Sequence, residues 1–252
     1  MVHTEKVEES LRSLIWRHHP ELLFRGGLDI VFTTNSSTLI SLNQRGPNSV
    51  LRLHRLFCNA PESILEAIVL DFFTRRCGRD SHDLRGRIMD FVHRNRRLTL
   101  EMTTLPKIRP PCGEVYDLGE IYASVLGRHV PERRLQPERL RLGWFHRATP
   151  SLMGKWIETP PKQPNVILVN PLLDDARVPR YYLEYIVYHE VLHDLFPICR
   201  RRGRWVQHPT EFRRRERAFP DYARARRWER EDLRSLNRGK PAGAVATPVP
   251  QS

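Results

Sequence analysis

The sequence predicts an α+β fold, and three observations carry that expectation. Apolar residues recur at helical spacing in several windows. Short runs rich in β-branched and aromatic residues, bounded by turn formers, stand between them. A proline-rich stretch at 103–117, "TTLPKIRPPCGEVYD", changes the texture of the chain and reads as a linker or an irregular crossing.

The elements follow in order. Residues 5–19 predict a helix, with Val7, Leu11, Leu14 and Ile15 on one face. "LDIVFTT" (28–34) and "SVLRLHRLF" (49–57) predict strands that flank a polar, turn-rich stretch containing "NQRGPN". "APESILEAIVLDFFTRR" predicts a helix with Pro61 in its first turn and Ile64, Leu65, Ile68 and Phe72 along one face. Residues 81–95 predict another, capped by Ser81 or Asp80. Beyond the linker, "DLGEIYASVLGRH" predicts a helix ending near Gly127. Residues 139–148, 152–158 and 165–170 predict three strands of a small sheet. "VPRYYLEYIVYHEVLHDLF" predicts one long apolar helix stopped by Pro197. A basic loop follows, then a helix with Pro209 in its first turn, then a polar last helix over 220–238. The expected organisation is an N-terminal α/β region (1–105), a second domain (112–238) and a small, proline-rich tail (239–252) that predicts disorder.

Composition narrows the function classes. The 252 residues suffice for a substantial core. No apolar run approaches bilayer-crossing length, so no membrane partner is expected. The polar, partly acidic start lacks the basic-then-apolar pattern of a secretory signal, so the expected location is the cytoplasm. Cys58, Cys77, Cys112 and Cys199 are scattered and form no CxxC pair, which argues against a disulfide framework or a cysteine zinc knuckle. The formal charge is +13, and five lysines among 42 basic residues leave 37 arginines. Such a surface favours DNA or another polyanion, although an arginine bias of this kind can also reflect genome composition. From Pro197 to Arg238 there are 14 arginines and 6 acids, with Trp205 and Trp228 interleaved. That segment reads either as a nucleic-acid-facing surface or as a salt-bridged, solvated helix face.

"YHEVLHDLF" (188–196) carries the chemistry. His189 and His193 lie one turn apart on a helix, so both imidazoles leave the same face and can grip one tetrahedral metal. Glu190 is about 100° further round the helix, where its carboxylate can reach a water on the open side of that metal and serve as general base. The competing reading is a buried helix with two neutral, hydrogen-bonded histidines, but a carboxylate in an apolar helix needs a metal, water or partner. A catalytic zinc needs a third protein ligand and an open position. His208 is the leading candidate, 15 residues past His193 at the mouth of the next helix, and Glu211 and Glu216 are the alternatives. Asp194, next to His193, is a candidate partner for an imidazole or an exposed helix-end acid. Tyr185 and Tyr188 read as core.

"YIVYHEVLHDLF", the basic gap and "HPTEFRRRERAFPDY" together resemble the SprT-like zinc metallopeptidases and the related YgjP-type (WLM-like) group. "MGKWIETPPKQPNVILVNPLL" resembles the hairpin and strand that precede the active helix there. The resemblance covers roughly residues 117–230. It implies a zincin-like fold, with a small sheet packed on the long HExxH helix. It implies Zn2+ held by His189, His193 and His208, Glu190 as general base, and Tyr222 as a candidate oxyanion stabiliser. It also implies a protein or peptide substrate pairing along "NVILVN", with nucleic-acid-associated proteins as a candidate substrate class. The expected function is therefore zinc-dependent peptide-bond hydrolysis through a zinc-bound water. The alternative is a non-catalytic, nucleic-acid-associated module with a structural zinc, in which Glu190 would have no role.

Overall fold

The computed structural model describes residues 2–20, 27–35, 38–45, 48–73, 79–130, 140–149, 152–201, 204–233 and 236. Among them the chain is α+β, with eight α-helices and nine short strands, and it divides into two compact units. No helix among the described residues is long and apolar enough to cross a membrane. The expected tail at 239–252 lies outside them.

The first unit begins with helix α1 (Val2–His18), whose Val7, Leu11, Leu14 and Ile15 are buried as their spacing requires. Strands β1 (Leu28–Thr33), β2 (Ile40–Arg45) and β3 (Asn48–His54) form a sheet in the order β1-β3-β2, parallel between β1 and β3 and antiparallel between β2 and β3. Helices α2 (Glu62–Phe73), α3 (Arg79–Arg94) and α4 (Arg96–Met102) complete the core with Leu51, Leu53, Phe57, Ile64 and Ile68.

Three expectations change here. β2 falls in the stretch read as turn-rich, because only Ile40 and Leu42 mark its apolar face; both are partly buried against the core. Residues 55–59 are a 3-10 turn rather than the end of a strand. The cause is His54, fully buried, whose Nδ1 accepts the Leu56 N–H at 3.1 Å while its Nε2 faces Thr103 Oγ1 at 3.3 Å. Ser81 does not cap α3, which starts earlier; its hydroxyl donates to Asp71 Oδ1 of α2 at 2.8 Å.

The first unit also takes Glu158–Gln163 and Cys199–Val206, so the expected continuous second domain over 112–238 is interrupted twice. The second insertion is the stretch read as a basic loop. It forms a hairpin, β8 (Cys199–Arg201) paired with β9 (Arg204–Val206). Specific contacts bind it to α3: Trp205 Nε1 donates to Asp90 Oδ1 at 2.9 Å, Arg200 pairs with Asp90 at 3.1 Å, and the Trp205 ring lies 4.2 Å from that of His93. Glu158 pairs with Arg96 at 2.6 Å.

In the second unit, β4 (Ile108–Arg109), β5 (Leu140–Phe145), β6 (Gly154–Ile157) and β7 (Asn165–Val169) form a mixed sheet in the order β4-β5-β7-β6. β5 and β7 are parallel, and β6 runs antiparallel to β7 at the sheet edge. "NVILVN" is therefore an interior strand with both sides occupied. It cannot pair with a peptide as the resemblance implies; among the described residues the edge strands are β4 and β6, and β6 is the one beside β7.

Helix α5 (Leu118–His129) is capped by Asp117, whose carboxylate accepts the Gly119 and Glu120 N–H groups. Helix α6 (Arg180–Leu195) buries Tyr182–Tyr188 and Glu190–Leu192, so it is apolar nearly all round and sits inside the core. Helix α7 (Thr210–Arg217) turns Phe212 inward from an otherwise charged surface, and α8 (Tyr222–Glu231) buries Ala225 with Tyr222 and Trp228 packed beside it. Asp174 ties the loop before α5 to this unit by accepting three backbone N–H groups, from Glu114, Val115 and Tyr116, at 2.7, 2.9 and 3.0 Å.

Candidate metal centre

Helix α6 sets His189 and His193 one turn apart, with ring centroids 5.1 Å apart and the rings near perpendicular. The chain then returns so that His208 precedes α7, where the Pro209 carbonyl accepts the Arg213 N–H and starts the helix. His208 Nε2 comes within 3.2 Å of His193 Nε2. One ligand nitrogen from each of His189, His193 and His208 lies within 4.8 Å of the others, and all three residues are half-buried. Phe212, fully buried, lies against the three rings at 5.1, 4.8 and 4.5 Å from His189, His193 and His208.

This donor set fits zinc. Two nitrogens bound tetrahedrally at about 2.05 Å stand about 3.3 Å apart, close to the 3.2 Å between His193 and His208. Burial, reinforced by neighbouring imidazoles, lowers the pKa of His193 to about 3 and lowers that of His208 as well. Both rings are thus neutral at physiological pH with lone pairs available. Burial also acts to lower His189, but the bond to Glu216 and the charges of Glu190 and Glu216 outweigh it, and the net shift is upward.

Glu190 is buried against the edge strand. The Trp156 backbone N–H donates to its carboxylate, and its Oε1 occupies the space that a Cβ on Gly154 would fill. Desolvation pushes its pKa up to about 7, with His189, the Trp156 N–H and Lys155 pulling the other way. It is a carboxyl that exchanges its proton near neutrality.

The alternative third ligands face elsewhere. Glu216 accepts from His189 Nδ1 at 2.8 Å and from the Tyr185 hydroxyl at 2.9 Å. Burial works to raise its pKa, but these two bonds and the His189 charge hold it below the usual carboxylate value. Glu211 pairs with Arg214. Asp194 accepts from Asn165 Nδ2 at 2.9 Å, so its described bond goes to the sheet and not to an imidazole. The Tyr222 ring packs edge-on to Tyr185 at 5.9 Å, with no described contact to the three histidines. Tyr185 and Tyr188 are buried as expected, and the Tyr188 hydroxyl donates to the Arg215 carbonyl.

Three contributors were not assigned these roles from the sequence. Gly154 and the Trp156 N–H become visible only once β6 lies beside α6. The His189–Glu216 bond spans 27 positions. Its one sequence signal is that His208, Phe212 and Glu216 follow at four-residue intervals, the last two on one helix face. On the arginine-rich segment, Arg214–Glu211, Arg226–Glu229 and Arg224–Asp221 are paired, so part of that surface is a salt-bridged helix face. No protein-family model, no curated protein and no solved structure matches this chain.

Proposed function

We propose that the protein is a zinc-dependent metallopeptidase with a zincin-like second unit. The single observation that carries the reading is the convergence of the His189, His193 and His208 nitrogens beside a buried carboxylate one residue from the first ligand. Zinc on those nitrogens supplies a Lewis acid that brings the pKa of water near neutrality.

The chain's own residues do the rest. The Glu190 carboxylate takes the proton of the attacking water and passes it to the departing amide nitrogen, a task suited to a group that titrates near neutrality. β6 offers the edge along which an extended peptide adds as a further strand. Phe212 closes the site from below and holds the three imidazoles in place. The scattered free thiols Cys58, Cys112 and Cys199 suit the cytoplasm.

The test is cleavage of a denatured protein or a fluorogenic peptide library by zinc-loaded wild type and Glu190→Gln. Loss of cleavage in the variant, with zinc retained, supports the reading. Equal behaviour of the two proteins refutes it and favours a purely structural zinc.

The +13 charge extends the proposal to substrates held on a polyanion. Duplex DNA should bind at low salt and release steeply as salt rises, and stimulate cleavage at physiological salt. Absence of both effects removes this extension and leaves the peptidase reading intact.

A further inference from the structure

We propose that Glu216 is a positioning residue for the metal site, fixing the His189 ring so that Nε2 is the nitrogen offered to the cation. The inference rests on the zinc reading above and gives α7 a second task besides supplying the Phe212 floor.

The geometry is specific. His189 Nδ1 lies 2.8 Å from Glu216 Oε1, and the Tyr185 hydroxyl lies 2.9 Å from the same oxygen. An ionised carboxylate only accepts hydrogen bonds, so the proton between them must sit on Nδ1. In the neutral ring that leaves Nε2 with its lone pair, the same atom that His193 and His208 turn toward each other. Tyr185 and His189 are one turn apart on α6, so two donors from one helix face grip one carboxylate oxygen.

Glu216 is in turn on the α7 face that follows from His208 and Phe212. The nine residues from His208 to Glu216 thus carry a ligand, the apolar floor and the residue that orients a ligand from another helix. A carboxylate behind an imidazole also makes it a stronger donor to a cation. The Glu216 side chain is 16% exposed, so water substitutes only in part for the bond.

The consequence separates Glu216 from the ligands themselves. Removing a ligand abolishes stoichiometric zinc. Removing an orienting carboxylate leaves the ligand set complete and weakens its grip about 10–100-fold.

The experiment uses the full-length chain as wild type, Glu216→Ala, Glu216→Gln and His208→Ala. Long-range 1H–15N correlation NMR on metal-free protein reads the His189 tautomer, and competition with a chromophoric chelator reads zinc affinity. The proposal expects the Nδ1–H tautomer in wild type. In Glu216→Ala it expects a shift toward the Nε2–H form and a zinc affinity about 10–100-fold weaker. Glu216→Gln keeps an acceptor oxygen for both donors, so it should keep the Nδ1–H tautomer and recover part of the affinity. If the alanine variant fails to fold, metal-free wild type is itself the test, since a His189 ring in the Nε2–H form there would overturn the proposal.

An unchanged tautomer and unchanged affinity in Glu216→Ala would overturn it. So would loss of stoichiometric zinc in Glu216→Ala with retention in His208→Ala, which would make Glu216 the third ligand. A wild type that takes up no zinc would overturn the metal reading itself. That failure is distinguishable, because the tautomer is read without metal.

Discussion

Replacing Gly154 with alanine should damage the fold at the point where β6 meets α6, and the clash can be worked out from the structure. A Cβ at this position would lie 2.5 Å from Glu190 Oε1, 2.9 Å from Glu190 Cγ and 2.9 Å from Ile186 Cγ2. Ordinary contact begins near 3.4 Å, so these approaches fall short by 0.9, 0.5 and 0.5 Å. A lone flexible tip could swing aside, but the Glu190 carboxylate is pinned by the Trp156 N–H and buried. Ile186 is buried one turn before it on the same helix, so α6 and β6 must move apart together. Overpacking of this kind costs about 1–3 kcal/mol, which for a chain of this size lowers the melting temperature by roughly 3–10 °C. The assay is a double-mutant cycle by thermal and urea unfolding, with G154A, E190A and both together. The two changes touch the same space, so the G154A effect should shrink in the E190A background, leaving only the part owed to Ile186 Cγ2 at 2.9 Å. A G154A protein as stable as wild type, or two effects that simply add, would refute this packing of Glu190 against β6.

Two further predictions concern the scaffold. Burial lowers the pKa of His54, so the folded state favours the neutral ring that accepts the Leu56 N–H. Its contribution is full above the ordinary value of 6.5 and is lost as pH falls below it, because the unfolded chain takes up the proton first. H54Q should therefore show a shallower loss of stability than wild type between pH 7 and pH 5 in metal-free urea unfolding, and identical slopes would contradict this. D174A removes the acceptor for three backbone N–H groups at once and should destabilise the second unit by more than about 2 kcal/mol. A melting temperature equal to wild type would contradict that role.

The parts of the fold legible in the sequence were those set by local pattern. Helix α6 announces itself because "YYLEYIVYHEVL" is apolar on every face, and α1 because Val7, Leu11, Leu14 and Ile15 fall on one stripe. The four-residue step between His189 and His193 fixed their shared face, and the turn at Pro209 marked where a returning histidine would stand. The remainder depended on partners distant in sequence. β2 has only two apolar residues to betray it. The β8–β9 hairpin is built from arginines that read as loop, and its place depends on an Asp90 more than 100 positions away. The division into units escaped a linear reading because 158–163 and 199–206 leave one unit and pack in the other. Glu216 was legible as a carboxylate near the metal, but whether it faced the cation or the back of His189 depended on how α7 returned against α6. The strand proposed for peptide pairing was displaced for the same reason, since β7 became interior only when β5 and β6 closed on both its sides.

The central claim is that three imidazoles from α6 and the start of α7 hold one zinc. Elemental mass spectrometry of purified wild type and His208→Ala, each supplied with zinc and freed of excess, tests it most directly. The account predicts about one zinc per wild-type chain and its loss or marked weakening in the variant. Wild type without zinc, or His208→Ala that retains it at the wild-type level, would contradict it.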